Sequence, residues 1–247
     1  MSSRRNRLDR LLARQLGVSK DQIPLMLAQR RVKVDGVVVD SRELLVDGFA
    51  TITVDDKPVQ SQTPVYVMLH KPAGVLSATH DPQHPVVTDL IQHPAIHTLH
   101  IAGRLDLHAS GLLLLTNDGR WSRQLSSPHS GVCKQYRVTL KNPLTPDYVS
   151  AFANGMYFGY EDITTRPAAL DIIDDHTACV RLQEGRYHQL KRMFGRFRNP
   201  VLGIHRVAIG MLVLDAVLEP GKWRELSGEE VVAATQSQEI VKPNLRS

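Results

Sequence analysis

The sequence is poor in cysteine: its 247 residues carry only Cys133 and Cys179. Two thiols cannot build a disulfide framework, and their spacing matches no metal-ligand pattern. They read as small buried hydrophobes of a chain from a reducing compartment, the cytoplasm. No uninterrupted apolar run approaches the roughly 18 residues that a membrane span needs. The opening "MSSRRNRLDR" is basic but has no apolar core, so it is not expected to act as a secretory signal. There is no internal repeat, no low-complexity tract, and no G-x-S-x-G element to support a serine-hydrolase reading. Nor do eleven histidines replace the missing thiols. His93 and His97 are spaced i, i+4 but flank Pro94; His84 and His93 each precede a proline, and no Cys or carboxylate completes a ligand set. No metal is expected.

With 42% hydrophobic residues, the chain can bury a substantial core as one large domain, or as a large and a small one. Its net charge of +5 is modest, but the distribution is uneven. Residues 1–33 carry nine Lys/Arg against two Asp, and residues 181–206 carry seven against one acid, Glu184. These segments hold sixteen of the 30 basic residues, and two separated basic patches point to a polyanionic partner, most often nucleic acid.

The first 54 residues read as a small domain. In "RLDRLLARQLGV", Leu8, Leu11, Leu12 and Leu16 fall at helical spacing while Arg7, Arg10 and Arg14 line another face, and Gly17 fits a helix stop. A second helix is predicted from near Pro24 to about Arg30 and Arg31. "VKVDGVVV" joins two β-branched runs through Asp35-Gly36, a strong hairpin signal, and "ATITV" is a further strand. Residues 55–64, "DDKPVQSQTP", are polar, carry prolines and lack periodicity, so they read as a linker.

Beyond the linker, strands are predicted at "VYVML", "GLLLLT", "QYRVTL", "AALDII", "ACVRL" and "MLVLDAVL", with helices around residues 87–92, 119–126, 146–154 and 187–198. Strands and helices mix without regular β-α alternation. That predicts an α+β domain over residues 65–236, with a mixed, mostly antiparallel sheet flanked by helices and loops. Residues 237–247 read as a frayed tail.

Four clusters in this second domain could carry chemistry: "HKPAGVLSA" with Lys71-Pro72, "GRLDLHASGLLLLTNDG" with Asp106, "KQYRV" with Tyr136, and "EGRYHQLKRMF" over residues 184–194. A charged Arg104-Leu105-Asp106 beside a run that reads as buried strand is costly unless paired or put to use. Together the clusters resemble the RsuA family of pseudouridine synthases, which pair a small S4 (αL-type) RNA-binding domain with this catalytic domain. The helix, helix and hairpin pattern of residues 1–54 resembles that S4 domain. The resemblance runs from about Arg7 to Glu230, and "HDPQHPVV" and "IHRVAIG…LEPGKWREL" look closest to family members that modify small-subunit ribosomal RNA.

The resemblance implies isomerisation of a uridine in 16S rRNA, at a site of the uridine-516 type, with no cofactor. Such a reaction breaks the C1′–N1 bond, turns the base and rejoins it through C5, with no net oxidation. A carboxylate suits it, as nucleophile or as electrostatic partner for a sugar with oxocarbenium character. By the family's G-R-L-D motif that carboxylate is Asp106. Tyr136 matches the family's active-site tyrosine, whose ring can stack on a flipped base. The basic residue after "HQL" pairs with the aspartate in the wider fold. Here it is Lys191, where many relatives have arginine, and Arg192 is the fallback. Lys lacks the bidentate fork, so the pair should be less fixed in geometry. Leu190, Met193, Phe194 and Phe197 form a helical stripe that reads as core, with Leu190 placed by the family against the base. Arg104 and Arg186 are expected at the RNA, as are Arg7, Arg10, Arg14, Arg30 and Arg31 of the first domain. Lys71-Pro72 is expected to shape the floor of the site. The expected partner is ribosomal RNA in an assembling small-subunit particle, bound by a cytoplasmic monomer without a membrane. The alternatives are a relative acting on 23S rRNA, or an S4-type assembly factor without catalysis.

Overall fold

The computed structural model describes residues 6–237; of the predicted tail, residues 238–247 lie outside them. Two compact units emerge, a smaller one that runs to Pro64 and a larger one that starts at Val65. Among the described residues, no helix is long and apolar enough to cross a membrane.

In the smaller unit the helix Leu8–Leu16 buries Leu8, Leu11 and Leu12, and leaves Arg10 and Arg14 on its exposed face. It stops at Gly17, whose left-handed φ of 66° lets its N–H reach the Ala13 carbonyl. The second helix is shorter than predicted, Ile23–Ala28. Pro24 sits in its first turn, where a missing N–H costs nothing. Asp35 (φ 51°) and Gly36 (φ 80°) close the predicted hairpin between Val32–Val34 and Val37–Val38.

The 55–64 stretch is not simply a linker. Asp55 and Asp56, both at positive φ, turn the chain into a strand Lys57–Gln60 that pairs antiparallel with Ile52–Val54 and forms one edge of a four-stranded sheet. Pro58 stands opposite Thr53 beside a register shift, and an edge strand tolerates such a residue.

The larger unit is built on a nine-stranded sheet. Its main path runs Ala169–Asp174, Thr177–Leu182, Lys134–Leu140, Val201–Ile209, Ser110–Thr116, Tyr66–Lys71 and Trp223–Glu225 in space. All neighbours are antiparallel except Val201–Ile209 beside Ser110–Thr116. The run Leu112–Leu115 is wholly buried because both sheet faces are covered. Leu113 and Leu115 pack into one cluster with Val67, Val138 and Phe194, while Leu112 and Leu114 pack into another with Met68, Trp121 and Leu125.

Most predicted strands and helices are present, with four differences. The predicted 187–198 helix spans only Gln189–Gly195, and the 87–92 helix is a 3-10 turn at Val87–Leu90. "MLVLDAVL" pairs only at Leu212–Val213, because the Asp215 carboxylate then accepts from the Val217 N–H and turns the chain. The long strand Val201–Ile209 was not predicted: Gly203, His205 and Arg206 interrupt its apolar pattern.

Candidate active site

Asp106 lies on the loop that enters the strand Ser110–Thr116, and buried side chains clamp this loop on both sides. Ser77 Oγ donates to the Leu105 carbonyl (2.7 Å) and accepts from its N–H (3.1 Å). Arg206, buried in the parallel strand, donates to the carbonyls of Leu112 (2.7 Å), Gly103 (3.1 Å) and Arg104 (3.4 Å). Arg206 stands opposite Gly111, whose φ is +106°, and a Cβ there would collide with the Arg206 backbone. Only glycine allows strands this close.

On the other side Lys71, 0% exposed, sends its ammonium to the carbonyls of Ala109 (2.8 Å), Pro72 (3.0 Å) and Leu107 (3.2 Å). Three N–H donors thus meet three carbonyls, of which Leu107 also accepts from the Gly74 N–H (2.8 Å). Burial pushes this lysine down to about 8, with the Asp106 charge opposing and Arg206 adding to the shift.

The facing wall comes from the turn after Thr177–Leu182. Buried Glu184 accepts from the Arg166 N–H (3.0 Å), from Gln189 Nε2 (2.7 Å) and from Arg186 Nε (3.1 Å). Gln189 in turn accepts from the Arg186 N–H (3.0 Å). This clasp sets the start of the helix Gln189–Gly195, where His188 takes a left-handed φ of 49°.

Between the walls are two adjoining cavities that share Arg104, Asp106, Tyr136 and Arg186. The smaller, ≈ 100 Å³, has an apolar side of Leu182, Leu190 and Ile204; the larger, ≈ 610 Å³, is more polar. The Asp106 side chain, 31% exposed, has Oδ2 3.6 Å from His188 Nε2 and 3.8 Å from Lys191 Nζ. These are loose contacts, as the absence of a guanidinium fork at 191 implied.

The predicted set therefore divides. Asp106, Tyr136, Arg104, Arg186 and Leu190 line the cavities, and Lys191 reaches the carboxylate. Leu190 also packs in the core with Met193 and Phe194, so that stripe does both jobs. Arg192 is not at the site: its guanidinium binds Glu161 and lies over the Phe158 ring, 3.8 Å from the centroid. Adjacent residues on a helix diverge by about 100°, so 191 and 192 cannot both face Asp106. In the smaller unit Arg7 pairs with Asp9 and Glu43, and Arg31 with Asp55. Arg10, Arg14 and Arg30 are exposed and form no ion pair among the described residues.

The sequence reading assigned no role to Ser77, His188, Gln189 or Arg206. His188 had a signal, its i, i+3 spacing from Lys191. Arg206 had none, since it acts on backbone atoms a hundred positions away.

Residues 65–195 match the RNA pseudouridylate synthase family. Over 226 residues the chain is 46% identical to a ribosomal small subunit pseudouridine synthase A of Pseudomonas aeruginosa, covering 91% of this chain and 98% of that one. It is 40% identical to the protein of that name from Escherichia coli K12 over 228 residues, 92% and 99% of the two chains. A crystal structure of a pseudouridylate synthase superposes with a TM-score of 0.68 at 37% identity, covering 92% and 99%. With an aspartate on a clamped loop facing a cavity and an aromatic and an aliphatic side chain beside it, the chain belongs to the RNA pseudouridylate synthase family and is an RNA pseudouridine synthase of the RsuA type.

Proposed function

We propose that the enzyme converts one uridine of 16S rRNA, at a site of the uridine-516 type, to pseudouridine, with Asp106 as the essential carboxylate and no cofactor. The observation that carries this reading is the Asp106 carboxylate, fixed by its backbone and open to a cavity whose other walls are Tyr136 and Leu190. The small-subunit assignment draws support from the names of the relatives.

In the reaction the C1′–N1 bond breaks and a C1′–C5 bond forms; C5 gives up its proton and N1 ends protonated. The carboxylate serves either route, by attacking C1′ or by taking a sugar proton to start an elimination. Lys191 stabilises its negative charge from one side, with the His188 ring beside it. Tyr136 and Leu190 are the two faces between which a pyrimidine ring is held. Extruding the base costs a few kcal/mol of stacking, which contacts from Arg104 and Arg186 to the RNA offset. The smaller unit acts as an S4-type RNA-binding domain, with exposed Arg10, Arg14 and Arg30 as its phosphate contacts. The RNA is met in an assembling small-subunit particle.

The test is carbodiimide primer-extension mapping of ribosomal RNA incubated with purified protein. Wild type should add one stop in 16S rRNA. Asp106→Asn should add none, while binding the RNA within about twofold of wild type, since only one acceptor atom is exchanged. Isomerisation by Asp106→Asn at the wild-type rate overturns the mechanism, and a stop in 23S rRNA alone overturns the substrate.

A further inference from the structure

The larger unit buries two lysines beside the same site, and they are used differently. Lys71 commits its ammonium to three carbonyls. The Lys134 side chain makes no hydrogen bond or ion pair among the described residues, although the residue is only 8% exposed. It stands two positions before Tyr136 on the same strand, so both side chains leave the same sheet face, and both line the ≈ 610 Å³ cavity. Burial, with nearby Arg206 as the second cause, pushes it down to about 8. No side-chain nitrogen or oxygen among the described residues is both buried and unpartnered, so this ammonium reaches the solvent of the cavity while its stem is packed, and it is a cation there that no protein acceptor occupies.

The cavities indicate which ligand. The ≈ 100 Å³ cavity, with Leu182, Leu190 and Ile204 on one side, suits an uncharged pyrimidine ring. The larger cavity also opens on Asp106 and adds Lys134, Ser126 and Arg206. Its one further carboxylate, Glu184, is already held by Arg166, Arg186 and Gln189. A nucleotide with its base in the first cavity and C1′ at Asp106 leaves its sugar–phosphate chain in the second. Once C1′–N1 is broken, the base is no longer tethered to the sugar. Contacts to the backbone must then hold C1′ in place until C5 arrives.

We propose that Lys134 binds a phosphodiester adjoining the target uridine and anchors the ribose at Asp106 while the detached base turns. This rests on the uridine-isomerisation reading above.

The experiment combines a protein change with an RNA change. Lys134→Met keeps length and burial but removes the charge. A hairpin of the 16S target carries a neutral methylphosphonate either 5′ or 3′ of the uridine. Lys134→Met should bind unmodified RNA about tenfold more weakly, the cost of one charge-assisted contact. One of the two methylphosphonates should weaken wild type equally and weaken Lys134→Met no further. The salt slope of log K should fall by about 0.7 to 0.9 in the variant, the share of one phosphate. Additive effects of the two changes, or an unchanged slope, overturn the proposal. If Lys134→Met does not fold, wild type and Lys134→Arg decide: insensitivity of wild type to both methylphosphonates overturns it, and tenfold sensitivity retained in both proteins supports it. These are binding measurements, so loss of the isomerase reading, seen as no pseudouridine formed by folded wild type, is told apart from loss of this one.

Discussion

The two walls of the cavity are held by different means. The wall that carries Asp106 is fixed through its backbone, by three inward-facing side chains that bind carbonyls: Ser77, Lys71 and Arg206. The wall that carries Lys191 and His188 presents a half-exposed ammonium and a half-exposed imidazole, and the nearest nitrogens stand 3.6 Å (His188) and 3.8 Å (Lys191) from the carboxylate. The group that must meet one sugar carbon is thus preorganised, and the groups that only balance its charge keep freedom to follow the substrate. Changes on the first wall should alter turnover strongly, and changes on the second should do so weakly.

Apart from Asp106 itself, the largest effect is expected at Lys71. Lys71→Met fills the same space but removes the ammonium from the carbonyls of Ala109, Pro72 and Leu107, of which Leu107 keeps the Gly74 N–H, and this costs about 3 kcal/mol of stability. The slackened loop should lower kcat about 100-fold with KM little changed, because Lys71 positions Asp106 and does not touch RNA. There is also a pH signature. The folded value lies near 8 and the ordinary value is 10.5, so between these the unfolded chain holds a proton that the folded chain has released. Wild-type stability should therefore gain from this group as pH rises through that window, and Lys71→Met should lack the gain. Urea midpoints at about pH 8 and pH 10, read with single-turnover rates, check both. Parallel stability curves together with near-normal kcat would remove the clamp from the argument.

A smaller effect is expected across the cavity. Lys191→Met should lower kcat/KM about tenfold or less, since a loose, half-exposed pair contributes modestly and His188 remains. Lys191→Arg should restore activity or exceed it, because a guanidinium can close on the carboxylate with two bonds. The loss should shrink as salt is raised. A 1,000-fold loss in Lys191→Met would place this lysine with the fixed wall and break the contrast.

The same division explains what could be read from the sequence. Asp106, Tyr136 and Lys191 sit in short continuous motifs, and the strands around them announce themselves through the apolar run Leu112–Leu115 or through alternation, as in Lys134–Leu140. Ser77 and Arg206 act by binding backbone carbonyls across the fold, a task that leaves no spacing pattern. Arg206 even disguised its own strand, since Gly203, His205 and Arg206 break the alternation of Val201–Ile209. Lys57–Gln60 escaped for a related reason: an edge strand needs little apolar surface and tolerates Pro58. Which of two adjacent cations faces the aspartate depended on the phase of the Gln189–Gly195 helix, and that phase is set by the Glu184–Gln189 clasp.

Arg192 therefore makes the smallest and most discriminating case. It neighbours Lys191, carries the better fork, and lies in the most basic part of the large unit, so charge alone would give it a share in the reaction. Its guanidinium instead holds Glu161, keeping that carboxyl below the usual carboxylate range, and covers Phe158. Arg192→Ala should change kcat and KM less than about twofold while lowering the thermal midpoint slightly, as expected for an exposed pair and a cation–π contact. A tenfold fall in kcat with an unchanged midpoint would show that the helix turns in the RNA complex to bring 192 to Asp106, and the second wall would then be mobile as a body as well as loosely paired.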